Sequence, residues 1–535
     1  YMDNDNLEME NSKQAQADIN IDTDLDLAVS NFFSIHPDQD SLNFGSSKAK
    51  FDVKRKRISC NEIKFIKVAD SRISPDSGRI IIRRKAKIDP LEKAEILTND
   101  ITKYYSLYDA DVEIFTRHDY LASGIYDYVD LNGDKQNIFF TEIKPDTTDQ
   151  THGKANIKKN KDFKISPNYS FYGDVNLSST SENLEFSGYT QIAHSCKNID
   201  QEWIEFTAVI DPIDIYIPIE FDSTAKNSIN IFSGMIFNNT DSLSLYPSFL
   251  SSKTNDKHID LISADGFIRY DASKKEYQLS NKDKLTEYKL PGNYTSLNIE
   301  SCRLKSAGKF DFTIDLDQVE AIPAGEMKFN PKKWATDFKT STIFDFLFSE
   351  SALNSLSKSI LEFRELRSLD TENSYYEKSL REYVGNDEAE KMIEDILISG
   401  KIKKFPEILE KPFFFGDIRF RWNSNRKAYV SYGDIGISNI NKKQIMKYVK
   451  GKVVISRKLT GNDMTIYLQL DKDNFYYFNY KKGLMKVFSS NDDFNKIVSE
   501  TKKDETKKKV KDKLDYQFML GAPKDVAPFV ATFMK

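Results

Sequence analysis

The stretch FFFGDIRFRWNSNRKAYVSYGDIGI, Phe413 to Ile437, alternates Ile418, Phe420 and Trp422 with Asp417, Arg419 and Arg421. Successive side chains of a strand point to opposite faces, so this spacing predicts one apolar face and one solvated face. Asn423-Ser424-Asn425-Arg426 then forms a polar turn, and Tyr429-Val430-Ser431-Tyr432 returns as the partner strand. FYGDVNLSSTSENLEFSGYTQI, Phe171 to Ile192, follows the same scheme through Gly173, Val175 and Leu177, a Ser/Thr/Asn turn, then Leu184, Phe186 and Gly188. ADGFIRYDASKKEYQLS places Gly266, Ile268, Arg269 and Tyr270 where the first stretch has Gly416, Ile418, Arg419 and Phe420. The repeating unit is a two-stranded meander, and such units build a sheet that grows by hairpins. The expected fold is mainly β, an antiparallel hairpin-repeat sandwich, jelly roll or solenoid with an inserted α-helical block. Ile418, Phe420, Val175, Leu177, Ile268 and Tyr270 are expected to point into its cores.

Other segments agree with this reading. In GIYDYVDLNGDKQNIFF, Asn132-Gly133 joins two β-rich runs and predicts a two-residue hairpin turn with positive φ. DLNGD also has Asp130, Asn132 and Asp134 at the first three odd positions of a calcium loop. The loop fails there, because Lys135 stands where glycine is needed and Thr141 where the bidentate glutamate is needed. Ser74-Pro75-Asp76-Ser77-Gly78 is a second turn.

The β pattern is interrupted between Ser341 and Leu409. Phe344, Leu347, Phe348, Leu353, Leu356, Ile360 and Phe363 fall at three- and four-residue spacing, which predicts amphipathic helix. IFDFLF is apolar almost all round one turn, so Phe344, Phe346, Leu347 and Phe348 are the expected docking surface for a partner protein. The organisation read from the chain is an acidic extended arm over 1–40, a β-rich repeat region over 41–335 in two units, a helical block over 336–411, a second β region over 412–495, and a charged tail with a C-terminal segment over 496–535.

With 535 residues the chain exceeds one compact core, and a net charge of −5 with both signs interspersed gives no field to recruit nucleic acid. No apolar run is long enough to span a bilayer as a helix. The chain opens at Tyr1 without a signal-peptide pattern and reads as processed or partial. Cys60, Cys196 and Cys302 lie far apart and are expected to be idle thiols. His36, His118, His152, His194 and His258 show no metal spacing, and no nucleotide loop or nucleophile elbow occurs. No catalytic, cofactor-binding or metal-binding residue is assigned, no cofactor is expected, and the chain is expected not to be an enzyme. The aromatic runs NFYYFNY, Asn474 to Tyr480, and YVSYGDIGI are read as cross-strand packing ahead of a sugar-stacking platform.

The Gly-Asp-[Val/Ile]-x-[Leu/Phe] strands, with VADSRISPDSGRIII and GFIRYDASKKEYQL, resemble the strand grammar of OstA-like β-jelly-roll proteins of lipopolysaccharide transport. The Lys-, Asn-, Ile- and Tyr-heavy usage is similar to that of large envelope proteins of Bacteroidota. The resemblance covers the β-rich parts before Ser341 and implies a periplasmic or outer-membrane-associated place of work, with lipid or protein clients. The helical block and tail depart from it. The function expected is a non-enzymatic scaffold subunit of a bacterial cell-envelope assembly that binds other protein subunits. The alternatives are a glycan-binding surface protein or glycosidase, and an OstA-like lipid-handling jelly roll with an apolar groove lined by positions such as Ile418 and Phe420.

Overall fold

The computed structural model describes residues 2–3, 6–10, 30–220, 230–240, 243–369, 374–458 and 460–534. The fold is mainly β, built from large antiparallel sheets with a few helices. The chain forms two compact units, Tyr1–Ala193 with Trp203–Pro218 and His194–Glu202 with Ile219–Lys535.

Unit 1 contains a 13-stranded sheet whose strands follow one another almost in chain order, from Ser30–Phe33 to Ile204–Val209. The sheet packs on itself. Tyr128 and Phe186 lie on strands with three others between them, which in a flat sheet would separate them by about 19 Å. Their ring centroids are 5.7 Å apart, and Phe163, Phe171 and Phe206 fill the same core. A buried hydroxyl cluster closes the other end: Ser71 Oγ lies 2.8 Å from Thr151 Oγ1 and 3.1 Å from Tyr120 Oη, and Asp70 accepts from Thr151 and Ser179. A second, five-stranded sheet includes Asn6–Glu10 paired with Lys48–Asp52, so part of the expected acidic arm is sheet edge. Residues 11–29 of that arm lie outside the described residues.

In unit 2, twelve strands from Gly266–Asp271 to Leu484–Ser489 are arranged in chain order and antiparallel throughout. Phe413 and Phe478, again with three strands between them, bring their rings to 5.2 Å. This sheet therefore also packs on itself. Six α-helices occur among the described residues: α1 (Lys282–Thr286), α2 (Glu350–Glu362), α3 (Ser374–Val384), α4 (Asn386–Ser399), α5 (Asp492–Glu500) and α6 (Pro523–Phe533). None is long and apolar enough to cross a membrane.

The three echoing stretches are all antiparallel hairpins, with Val175, Leu177, Ile268, Ile418 and Phe420 buried. Tyr270 and Trp422 are half-buried instead; the Trp422 indole donates to Leu243 O at 2.8 Å. Asp417, expected in water, is buried and accepts from Tyr448 Oη at 2.8 Å. The hairpin at Asn132-Gly133 is present, but its loop is longer than two residues. Val129 pairs with Lys135, Gly133 N donates to Asp130 O, and only Gly133, with φ +83°, takes the left-handed conformation. Asp130 Oδ1 accepts from the amides of Asn132 and Asp134, so its carboxylate shapes the turn.

The helical expectation fails at its first segment. Ala335–Asp345 is a strand, and α2 starts only at Glu350, where the Ser349 side chain accepts from Ala352 N. The strand is covered on both faces: Ile343 packs in the core beneath α3 and α4, while Phe344 packs on Phe415. A strand buried on both sides loses its polar phase and mimics a helix that is apolar all round. Domain limits shift accordingly, since the region expected to be helical over 336–411 begins inside a sheet that continues on both sides of α2–α4. The C-terminal segment that follows the charged run joins the sheet. Tyr516–Leu520 runs parallel to Leu484–Ser489, with Tyr516 and Phe518 buried, and α6 packs Val526 and Phe529 onto Tyr467 and Tyr477.

The cysteines are not all idle. Cys196 and Cys302 form a disulfide across 106 residues, while Cys60 stays a buried free thiol. Burial pushes the Cys60 thiol up to about 11, so little thiolate is available for reaction at neutral pH. Iodoacetamide at pH 8 should label no cysteine in the native chain, one after unreduced denaturation, and three after reduction. Three labels without reductant would rule out the Cys196–Cys302 bond.

Candidate functional site

Three of the four residues expected to dock a partner present no free apolar surface. Phe344, Phe346 and Phe348 are buried in the core of unit 2, where Phe348 contacts the rings of Phe346, Phe478, Phe494 and Phe518, and Leu347 is half-buried. The run NFYYFNY is core as well, with Tyr476, Tyr477, Phe478 and Tyr480 buried. Around Ile418 and Phe420 the space that a lipid groove would need is filled by Phe312, Phe338 and Tyr429. Among the described residues no group of three or more His, Cys, Asp or Glu is placed to hold a metal ion.

An aromatic surface is present elsewhere, on the outer face of unit 1. Strand Tyr169–Ser178 sends Phe171, Val175 and Leu177 inward and Tyr172, Asp174 and Asn176 outward. Strand Glu185–Ile192 sends Phe186 inward and Glu185, Ser187 and Tyr189 outward. Tyr172 stands directly opposite Tyr189, with rings stacked at 5.1 Å and 18°. Trp203 meets Tyr172 edge-on at 4.8 Å, and Lys159 Nζ sits 4.9 Å from the Trp203 ring centre and 5.6 Å from that of Tyr172. All three aromatic side chains are half-buried.

Two residues further along the strands, about 7 Å away, a polar row crosses the same face. Asn156, Asp174, Ser187 and Thr207 stand opposite one another on four adjacent strands. Asn156 Nδ2 donates to Asp174 Oδ1 at 2.6 Å, and the hydroxyls of Ser187 and Thr207 are 2.8 Å apart. Between the two rows lies the cross-strand pair Gly173 and Gly188. Gly173 has φ +146°, and a Cβ there would stand 2.5 Å from Ser187 O and 2.7 Å from the Gly188 Cα. Only glycine lets the backbones approach this closely while the aromatic and polar rows stay in line.

In unit 2 a cleft lies under α3, with about 270 Å³ of empty space including the part open to solvent and enclosed room for about one water. Tyr375, Lys378, Ser379 and Glu382 line it from one side of α3, while Tyr376, Leu380 and Tyr383 turn from the other side into the sheet core. Its floor is the opposed pair Gly308 and Gly325, where a side chain on Gly325 would strike Lys339 O and the Tyr375 hydroxyl. Lys284 Nζ and Glu382 Oε1 form an ion pair at 2.6 Å, with side chains only 4% and 8% exposed. Glu382 Oε2 also accepts from Gly292 N at 3.2 Å. Glu326 accepts from Tyr288 Oη at 3.0 Å and pairs with Lys305 at 3.2 Å and Lys328 at 3.6 Å. Burial holds the Lys305 and Lys378 ammoniums below the usual lysine range, and neighbouring lysines add to this. Burial alone would raise the Glu326 carboxyl, but Lys305 and Lys328 outweigh it and hold it below the usual range.

Neither site was visible as a motif. The signal for the first is that Tyr172 and Tyr189 occupy the polar phase of their strands, where exposed aromatics are unusual, and Trp203 directly precedes the strand Ile204–Val209. No family model, curated protein or solved structure matches the chain.

Proposed function

We propose that this chain is a non-catalytic, β-rich subunit of the bacterial cell envelope that binds a glycan on the outer face of unit 1. The observation that carries the reading is the stacked pair Tyr172 and Tyr189, with Trp203 edge-on to it, lying one sugar width from the polar row Asn156, Asp174, Ser187 and Thr207. A pyranose has apolar C–H faces and hydroxyls at its rim. Aromatic rings accept the former, and amide, carboxylate and hydroxyl groups accept the latter. Lys159 adds a cation at the edge of the platform, which favours chains bearing uronic acids over neutral ones. As a scaffold, the hydrogen-bonded meander holds both rows in fixed register.

The Cys196–Cys302 disulfide supports work in an oxidising compartment, which suits a periplasmic or outer-membrane-associated place. The test is a glycan array carrying neutral and uronate-containing polysaccharides. Retention is expected on uronate chains, and Trp203→Ala should weaken it about 30-fold, the effect of losing an aromatic worth about 2 kcal/mol. The Trp203→Ala chain should keep its melting temperature, because the indole is half-buried. An array with no retained glycan, or a folded Trp203→Ala chain with full binding, would overturn the reading.

A further inference from the structure

The outer face of unit 1 continues past the strand that carries Asn156. On the next strand, Lys135–Pro145, Phe139 is 54% exposed although its chain neighbours Ile138 and Phe140 are buried. Phe140 pairs with Ala155, so the register sets Phe139 beside Asn156 on the outward phase. Two residues along from Phe139, Asn137 stands opposite Asp127: Asn137 Nδ2 donates to Asp127 Oδ1 at 2.8 Å, and Tyr108 Oη donates to the same oxygen at 2.8 Å. Lys135 Nζ lies 3.6 Å from Asp127 Oδ2, so this carboxylate carries its own counter-charge. The pattern repeats that of the first platform, where Asp174, two residues along from Tyr172, accepts from Asn156. An outward aromatic ring with a hydrogen-bonded Asn–Asp pair two residues along its strand therefore occurs twice on one face, and the pair Asn156–Asp174 lies between the two rings.

We infer that Phe139 is a second aromatic subsite of the glycan face, and that the ligand is a chain of several linked sugars running across the strands, with Asn156 and Asp174 on the hydroxyls between the two rings. Phe139 and Tyr172 are two strands apart across the sheet and two residues apart along it, which sets them about 12 Å from each other, further than one pyranose reaches. The sheet curls between them, so a ligand that touches both rings must bend, and the glycosidic bonds of an oligosaccharide allow this. The inference rests on the glycan reading of Tyr172, Tyr189 and Trp203, and adds to it the length and direction of the ligand.

The experiment is calorimetric titration of the full chain with digalacturonate and, separately, hexagalacturonate. The parent chain should bind the hexasaccharide more tightly, and Phe139→Ala should weaken the hexasaccharide about tenfold and the disaccharide far less, because only the longer chain reaches both rings. Phe139→Tyr keeps the ring and should bind the hexasaccharide as the parent does. Phe139→Ala should melt with the parent, since more than half of the side chain is exposed. Unchanged hexasaccharide binding in Phe139→Ala, or equal losses on the two sugars, would overturn the inference and leave the glycan reading standing. A parent chain that binds neither sugar would overturn both.

Discussion

Phe348→Asp should unfold unit 2. The ring lies among Phe346, Phe478, Phe494 and Phe518, with the nearest centroid 4.8 Å away, and its truncation alone costs about 3–5 kcal/mol. A carboxylate at the same position would be buried without a partner and add several kcal/mol more. The sum approaches the whole stability of a typical domain, roughly 5–15 kcal/mol. Circular dichroism of the purified variant is the check. A cooperative melt near the parent temperature would mean that Phe348 is a surface residue after all, and that the partner-docking role expected from IFDFLF survives.

The second large effect is expected at Glu382. Removing it as Glu382→Ala leaves the Lys284 ammonium buried opposite nothing, and takes an acceptor from Gly292 N. Breaking one side of a buried pair costs about 3–5 kcal/mol, whereas exchanging both sides for apolar groups is near neutral. For a unit of this size the single change should lower the melting temperature by roughly 4–7 °C. The double change Lys284→Met with Glu382→Leu should recover most of that. Equal losses in the single and double variants would show that packing, not the unpaired charge, sets the cost.

The hairpins were legible in the sequence because their information is local. Ile418 and Phe420 alternate with charged neighbours, the turn residues lie between the strands, and burial follows the period. Where a strand is buried on both faces the same rule gives the wrong element, as Ala335–Asp345 shows, since a polar phase is what separates a strand from a helix. Asp417 was misplaced for a related reason: its position on the polar phase is real, but Tyr448 reaches over it from the next strand but one. The Cys196–Cys302 bond spans 106 residues and leaves no local trace.

The sites were the least legible part. Lys284, Glu326, Lys378 and Glu382 come from a short helix, one strand and α3, and only the folded sheet gathers them. Tyr172 and Tyr189 did carry a local sign, each on the solvent phase of its strand and beside a glycine. The densest aromatic run, NFYYFNY, drew the sugar-platform reading instead, and it lies in the core.

The glycan face is tested most directly by making Trp203 the sole tryptophan, with Trp334→Phe and Trp422→Phe, and following its fluorescence during titration with oligogalacturonate and with cellohexaose. A saturable change with the uronate chain, abolished by Tyr172→Ala in the same background, is the result expected. A flat response to both sugars from a folded chain would contradict the assignment of this face to glycan binding.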